Sequence, residues 1–142
     1  MDESIEASFG ILLQFKEDPP IAMGDETLRN DIDQMNSFLQ SLSDDTICNM
    51  REDNDAKMTP LISLYAYLTH VAHYRRPWLV GSLSLRMVEL TMKPELNAMY
   101  SVALAYFGGV LVTIGCITDG CRLGESYLIS PCFVFFCLKH FH

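Results

Sequence analysis

The sequence predicts an all-α protein made of short antiparallel helices, about five or six of them in one domain. Apolar residues recur at steps of three and four along several segments, a spacing typical of amphipathic helices. Prolines separate these segments at the places where helices start and stop. A third observation is the uncharged run at residues 98–118, which predicts a helix that is apolar on all sides.

The first predicted helix covers residues 4–15, with Gly10 near its C-terminus, and a loop follows at 16–24. Asp25 suits the N-cap of the second helix, because its carboxylate can accept a hydrogen bond from the first turn. That helix is predicted to extend to about Ser43. Its apolar stripe consists of Leu28, Ile32, Met35, Leu39 and Leu42.

Prolines delimit the next two predicted helices, which follow an acidic, irregular segment at 44–59. The third helix begins at Thr59 and Pro60, which suit the N-cap and the first helical position. A fourth helix begins at Pro77 and ends before Pro94. The apolar faces of these two helices consist of Leu61, Leu64, Tyr65, Leu68, Val71 and Ala72, and of Leu79, Leu83, Met87 and Leu90.

The uncharged run has two interpretations, because twenty-one residues are enough to cross a bilayer as well as to form a buried helix. Its serine, threonine and three glycines, together with flanks that lack a one-sided basic excess, favour contact with protein over contact with lipid. We therefore predict a packed helix at 97–114 that Gly115 closes. A final helix is expected at 117–129, ended by Pro131.

Glycines in and after this run are interpreted as positions of close helix packing. Gly108 would let two helices approach, Gly115 would form the turn, and Gly120 would let the second helix pack back. Leu104 and Leu111 flank Gly108 as the large partners in such a contact. A glycine inside a helix costs up to about 1 kcal/mol relative to alanine, so a close crossing is a reason for its presence.

Composition and charge limit the possible functions. Residues 1–60 hold fourteen Asp and Glu against four Lys and Arg, a net charge of −10, whereas residues 61–142 carry a net charge of +2. Nucleic-acid binding is not expected, because it requires a basic surface. A mean hydropathy of +0.15 is high for a soluble monomer and indicates either a membrane or a surface that a neighbour covers.

No catalytic or cofactor-binding constellation stands out, so we expect no enzyme activity, no cofactor and no metal. His70 and His73 share a helix face, and two cysteine pairs have a C-x4-C spacing, but neither pattern has the further ligands that a zinc site needs. The acidic start of the chain does not resemble a secretory signal, so the cysteines are expected to be reduced thiols in the cytoplasm. These cysteines are Cys48, Cys116, Cys121, Cys132 and Cys137.

Arg76 and Trp78 are the candidate interaction residues. A lone tryptophan at the start of a helix can seal a junction between helices, which is the favoured interpretation of Trp78. The alternative is an exposed anchor for a partner, since tryptophan and arginine are common in interface hot spots.

Three segments carry a resemblance to a known family: 86–91 (RMVELT), 101–108 (SVALAYFG) and 119–124 (DGCRLG), the last ending at Gly124. The segment 63–80 precedes them in the matching place. By their order and spacing they resemble the helical, TPR-like region of large multidomain signalling ATPases. In those proteins a STAND or AAA-type ATPase module precedes this region, and GAF and histidine-kinase modules follow it in many cases.

The resemblance implies a degenerate TPR-like solenoid over residues 1–130, with a non-family apolar tail at 131–142. It implies a non-catalytic repeat scaffold of a signal-transduction ATPase or hybrid histidine kinase, of which this chain would be a fragment. The expected partners are other domains of the same parent protein or a separate protein.

Two alternatives belong to other classes of protein. A tail-anchored membrane protein would use residues 98–118 or 126–138 as its span. A small helical bundle would wrap the uncharged helix and bind an amphipathic partner helix in a groove, whereas a solenoid would place that helix between two neighbours.

Overall fold

The computed structural model describes residues 2–20, 24–43, 45–46, 60–92 and 100–128. Within these ranges six α-helices are found and no strand, so the all-α prediction is confirmed. The helices are α1 (Asp2–Gln14), α2 (Glu26–Ser41), α3 (Pro60–Arg75), α4 (Val80–Thr91), α5 (Tyr100–Thr113) and α6 (Ile117–Leu128), with a 3₁₀ turn at Pro77–Leu79. The predicted boundary at residue 130, the tail at 131–142 and most of 44–59 lie outside the described residues.

Local sequence signals set several of the helix ends. The side chain of Asp25 accepts a hydrogen bond from the backbone N–H of Leu28 at 3.1 Å and caps α2. Pro60 occupies the first position of α3, where its missing N–H leaves no hydrogen bond unmade. Gly115 has a φ of 97° and closes α5, while the N–H of Cys116 donates to the carbonyl of Leu111 at 2.8 Å.

The first helix, α1, ends at Gln14, one residue before the predicted end at residue 15. Gly10 lies four residues before this end, and Leu12 in the last turn is buried in the core. Lys16 closes the helix in the left-handed region at a φ of 60°, where glycine is the usual residue. The N–H of Glu17 then donates to the carbonyl of Leu12 at 3.1 Å, which brings the Glu17 side chain back towards the core.

Short connections join α3 to α4 and α5 to α6, and each of these pairs packs together. Helix α4 occupies the centre, because it also contacts α2 and α5 and buries residues on most of its surface. Helix α1 packs on α3. One core joins all six helices, and its largest fully buried side chains are Phe107, Ile5, Leu12, Ile32, Leu39, Ile62, Leu68, Leu83, Met87 and Leu90.

The uncharged run does not form a single helix. Helix α5 has 14 residues and ends at Thr113, and α6 begins at Ile117 after the turn at Gly115. At 1.5 Å per residue α5 is about 21 Å long, whereas a membrane core is about 30 Å thick. None of the helices in the described ranges is both long and apolar enough to cross a membrane. The other proposed span, 126–138, lies mostly outside the described residues.

Candidate interaction surface

Two glycines, Gly108 and Gly120, allow the backbones of α5 and α6 to come into contact. A Cβ atom added to Gly108 would lie 2.8 Å from the carbonyl oxygen of Gly120, and one added to Gly120 would lie 2.5 Å from the carbonyl oxygen of Gly108. Val112 lies against Gly120 as well, with its Cγ2 atom 2.7 Å from the added Cβ. Since Gly108 is near Gly124 while Val112 is near Gly120, the two helices run antiparallel.

The other predicted packing positions surround this crossing. Leu104 and Leu111 are buried, as are Phe107 on the same helix and Leu123 on α6. Gly124 differs from the two crossing glycines, because a Cβ added to it would have no described atom within 4 Å. The structure therefore brings Gly108 and Gly120 into backbone contact and leaves room at Gly124.

Arg76 joins the end of α3 to α1. Its guanidinium forms an ion pair with the carboxylate of Glu6 at 2.8 Å and lies over the ring of Phe9, 5.9 Å from the ring centre. The Arg76 side chain is 23% exposed, so most of it is used within the molecule. Arg76 therefore fixes the surface beside Trp78 and offers little area of its own to a partner.

Trp78 lies in the 3₁₀ turn, and 51% of its surface is exposed. About half of this side chain is therefore in contact with solvent, and its role as an anchor for a partner stays a prediction. Tyr67 and Tyr74 of α3 are exposed to a similar degree, and their spacing of seven residues puts them on one face of that helix. We call Tyr67, Tyr74 and Trp78 the aromatic ridge.

Two histidines and two of the five cysteines lie in the described ranges. The rings of His70 and His73 each meet the ring of Tyr74 edge to face, with centroids 5.6 Å and 5.1 Å apart. Cys116 is a half-buried free thiol and Cys121 an exposed one. In the part of the chain that the structure describes, no three His, Cys, Asp or Glu residues come together as metal ligands.

An ionic cluster that the sequence analysis missed joins α1 to α3 and α4. Arg86 holds Glu17 through two hydrogen bonds, from Nε to Oε1 at 3.1 Å and from Nη2 to Oε2 at 2.9 Å. A third bond runs from Nη1 of Arg86 to Glu89 at 3.0 Å. Glu17 is only 8% exposed, and a buried carboxylate needs a positively charged partner. Arg86 is that partner.

Burial and the charges of this cluster shift the pKa values of Tyr65 and Arg86. Burial raises the pKa of the neighbouring Tyr65 to about 12, and the negative charge of Glu17 adds to the effect. Burial alone would lower the pKa of Arg86, but its hydrogen bonds to Glu17 and Glu89 outweigh burial and raise that pKa. Glu17 and Arg86 are 69 residues apart, so no local pattern in the sequence links them.

A second missed contact is a polar seam between α2 and α6. The amide of Asn36 donates to the carboxylate of Asp119 at 2.9 Å. Arg122 donates to the side chain of Gln40 at 2.8 Å and to the carbonyl of Leu42 at 2.6 Å, with a longer bond of 3.3 Å to a second carbonyl. One signal was available, because α2 has no basic residue in its last turn and its final carbonyls need donors from elsewhere.

No family model, curated protein or solved structure matches this chain. The resemblance of residues 77–129 to the helical region of signalling ATPases therefore stays a prediction. The functional argument depends on the geometry of the surface itself.

Proposed function

We propose that this chain is a non-catalytic, cytoplasmic helical scaffold that binds other domains of its parent protein or a separate protein partner. In the finer form of the proposal it is a degenerate TPR-like segment of a signal-transduction ATPase or hybrid histidine kinase. Its role would be recognition by a surface held in a fixed shape, as in other stacked helical repeats.

The arrangement of the helices supports a repeat more than a groove-forming bundle. Helix α5 packs chiefly between α4 and α6, whereas a bundle would wrap this uncharged helix on all sides. The pairs α3–α4 and α5–α6 follow each other directly, and α4 also contacts α5. Helix α2 departs from a straight stack, because it contacts both α4 and α6, and the proposed repeat is therefore degenerate.

The aromatic ridge is the observation that carries the proposal. Tyrosine and tryptophan are the side chains most often found in binding hot spots, because they offer a large apolar area at a low cost in conformational entropy. Trp78 leaves 51% of its surface exposed although its neighbour Arg76 is fixed against α1. An exposed tryptophan beside a fixed residue is suited to enter a pocket of a partner.

Site-specific photocrosslinking tests this function. The photoreactive amino acid p-benzoylphenylalanine is placed at position 78 of the full chain, in cells that make the protein, and adducts are identified by mass spectrometry. Position 38 is the matched control, because Phe38 is an aromatic residue of 48% exposure on α2. We expect one defined protein adduct from position 78 and none from position 38. Equal adducts at both positions, or none at either, would contradict the proposal.

A further inference from the structure

We infer that α1 and the turn after it, residues 2–18, form a strap that opens and closes as one unit while α3 to α6 stay folded. Ion pairs and a small apolar contact hold this strap, and its opening changes the surface around Trp78. The opening itself does not depend on the function proposed above, whereas its effect on a partner rests on that function.

Few apolar side chains attach α1 to the core. Within the described part of α1, Ile5 and Leu12 are buried and Phe9 is partly buried against the same core. Helix α4, by contrast, buries residues along most of its length. Elements with little buried apolar surface are the ones that open locally in native proteins. Once detached, a helix of 13 residues is too short to remain helical in water, so its amide protons exchange with solvent.

The strap and the segment that receives it carry opposite charges. The strap holds five Asp and Glu and one Lys, while residues 60–88 hold three Arg and no Asp or Glu. Two of those arginines reach the strap, because Arg76 pairs with Glu6 at 2.8 Å and Arg86 pairs with Glu17 at 2.9 Å. Each pair has at least one member in contact with solvent, so added salt should weaken the attachment.

Glu17 is the anchor of the strap. Its carboxylate accepts two hydrogen bonds from Arg86, and its backbone N–H donates to the carbonyl of Leu12, the last buried residue of α1. A buried carboxylate is strongly unfavourable without its cation. The buried pair therefore forms when the strap closes, and both charges return to water when it opens.

The strap also contacts the aromatic ridge. The hydroxyls of Ser4 and Tyr67 lie 2.7 Å apart and form a hydrogen bond. At the other end of the ridge, Glu6 holds the side chain of Arg76, whose carbonyl accepts a bond within the 3₁₀ turn that carries Trp78. Opening of the strap therefore removes a support from each end of the ridge. A partner that binds the closed form should in turn keep the strap in place.

Hydrogen exchange of the full chain, followed by mass spectrometry of peptic fragments, tests the opening. Exchange in α1 should be faster than in α4 and α5 and less sensitive to urea, because a local opening exposes little surface. Raising NaCl from about 20 mM to about 500 mM should accelerate exchange in α1 at least about threefold relative to α5. Exchange in α1 that matches α4 and α5 in rate and in urea dependence, or that ignores salt, would overturn the inference.

Two variants remove the same charge at adjacent positions and form a matched pair. Glu17 is buried against Arg86, whereas Asp18 is exposed. Glu17→Gln should accelerate exchange in α1 about tenfold, and Asp18→Asn should change it less than about twofold. Equal effects of the two variants would mean that net charge alone holds α1, and the anchored strap would be refuted.

The effect on a partner is measured with the crosslinking residue at position 78. The double variant Glu6→Lys, Glu17→Lys should hold the strap open in most molecules, because both ion pairs become repulsive. It should give at least about fivefold less adduct, with exchange in α5 and α6 unchanged. The control Glu3→Lys, Asp18→Lys changes the net charge equally at exposed positions and should keep the adduct.

The outcomes of this last experiment are distinct. Equal adduct from the two double variants, or accelerated exchange throughout α4, α5 and α6 in the first, would overturn the inference. Absence of any adduct from the unaltered chain would count against the proposed function alone, since exchange in α1 is measured without a partner.

Discussion

The C-terminal helix pair and the N-terminal helices are attached to the molecule in different ways. Helices α5 and α6 meet backbone to backbone at Gly108 and Gly120. Helices α1 and α2 are held in addition by arginine side chains that come from later in the chain. The contact between α5 and α6 depends on glycines, which have no side chain to keep the backbones apart. The attachment of α1 and α2 depends in part on charged hydrogen bonds.

The charge imbalance of the sequence corresponds to this division. Arg76 and Arg86 bind glutamates of the acidic N-terminal half, and Arg122 binds a side chain and carbonyls at the end of α2. These arginines account for half of the six Lys and Arg residues after residue 60. The comparison teaches that added volume should damage one region, whereas loss of charge should damage the other.

The largest expected effect is overpacking at the α5–α6 crossing. Gly120→Ala should lower the free energy of unfolding by about 2–3 kcal/mol, because the new methyl group would meet the carbonyl of Gly108 and the side chain of Val112. Urea unfolding of the full chain measures this change.

Gly124→Ala is the matched control on the same helix, since space is open there. It should stabilise the chain by up to about 1 kcal/mol through higher helix propensity. Equal effects of the two substitutions would show that the crossing is not close, and the comparison between the regions would fail.

Loss of Arg86 should have the next largest effect. Arg86→Met leaves the buried carboxylate of Glu17 without its partner and should cost about 2 kcal/mol, less than for a fully buried pair because Arg86 is 36% exposed. Arg76→Met is the control, because its partner Glu6 is 62% exposed and such pairs contribute less than about 1 kcal/mol. If Arg76→Met lowered the free energy of unfolding as much as Arg86→Met does, the burial of Glu17 would not explain the effect.

Stability should also fall at high pH because of Tyr65. Its pKa is about 12 in the folded protein, above the ordinary 10.0, so the folded chain keeps a proton that the unfolded chain releases. The stabilisation is complete below pH 10 and is lost as the pH rises towards 12, by about 1–2 kcal/mol. Urea unfolding at several pH values should reveal this loss, and Tyr65→Phe should abolish it. A decline of equal size in that variant would assign the effect to other groups.

The smallest effect concerns the seam between α2 and α6. Arg122→Met should cost about 1 kcal/mol, because α2 keeps its apolar contacts with α4 and loses only the donors at its last turn. Hydrogen exchange should accelerate in the last turn of α2 and stay unchanged in α5. The control is Arg29→Met, whose ion pair with Asp33 is about half exposed on the surface of α2. Acceleration across α5 would mean that the two regions are not independent.

Helix positions were predictable because their signals are local. Asp25, Pro60 and Gly115 act within one turn of themselves, so the sequence near each residue contains the cause of each boundary. The end of α1 at Gln14 was likewise predicted to within one residue.

The polar contacts were not predictable for the opposite reason. Glu17 lies 69 residues from Arg86, and Asn36 lies 83 residues from Asp119, so each partner is defined only after the helices have assembled. Glu17 has the appearance of an ordinary loop carboxylate among many in an acidic segment. The exposure of Trp78 is likewise a property of the assembled helices, which no pattern around position 78 contains.

The bond between Arg122 and Gln40 spans 82 residues, and this separation matters while the ribosome is still making the chain. At about 5–20 residues per second, α2 is synthesised about 4–16 s before Arg122 is added. During that interval the carbonyls of Leu39 and Leu42 lack the donors that Arg122 later supplies. A nascent chain stalled before α6 should therefore leave the end of α2 open to chaperones and proteases that the finished protein resists.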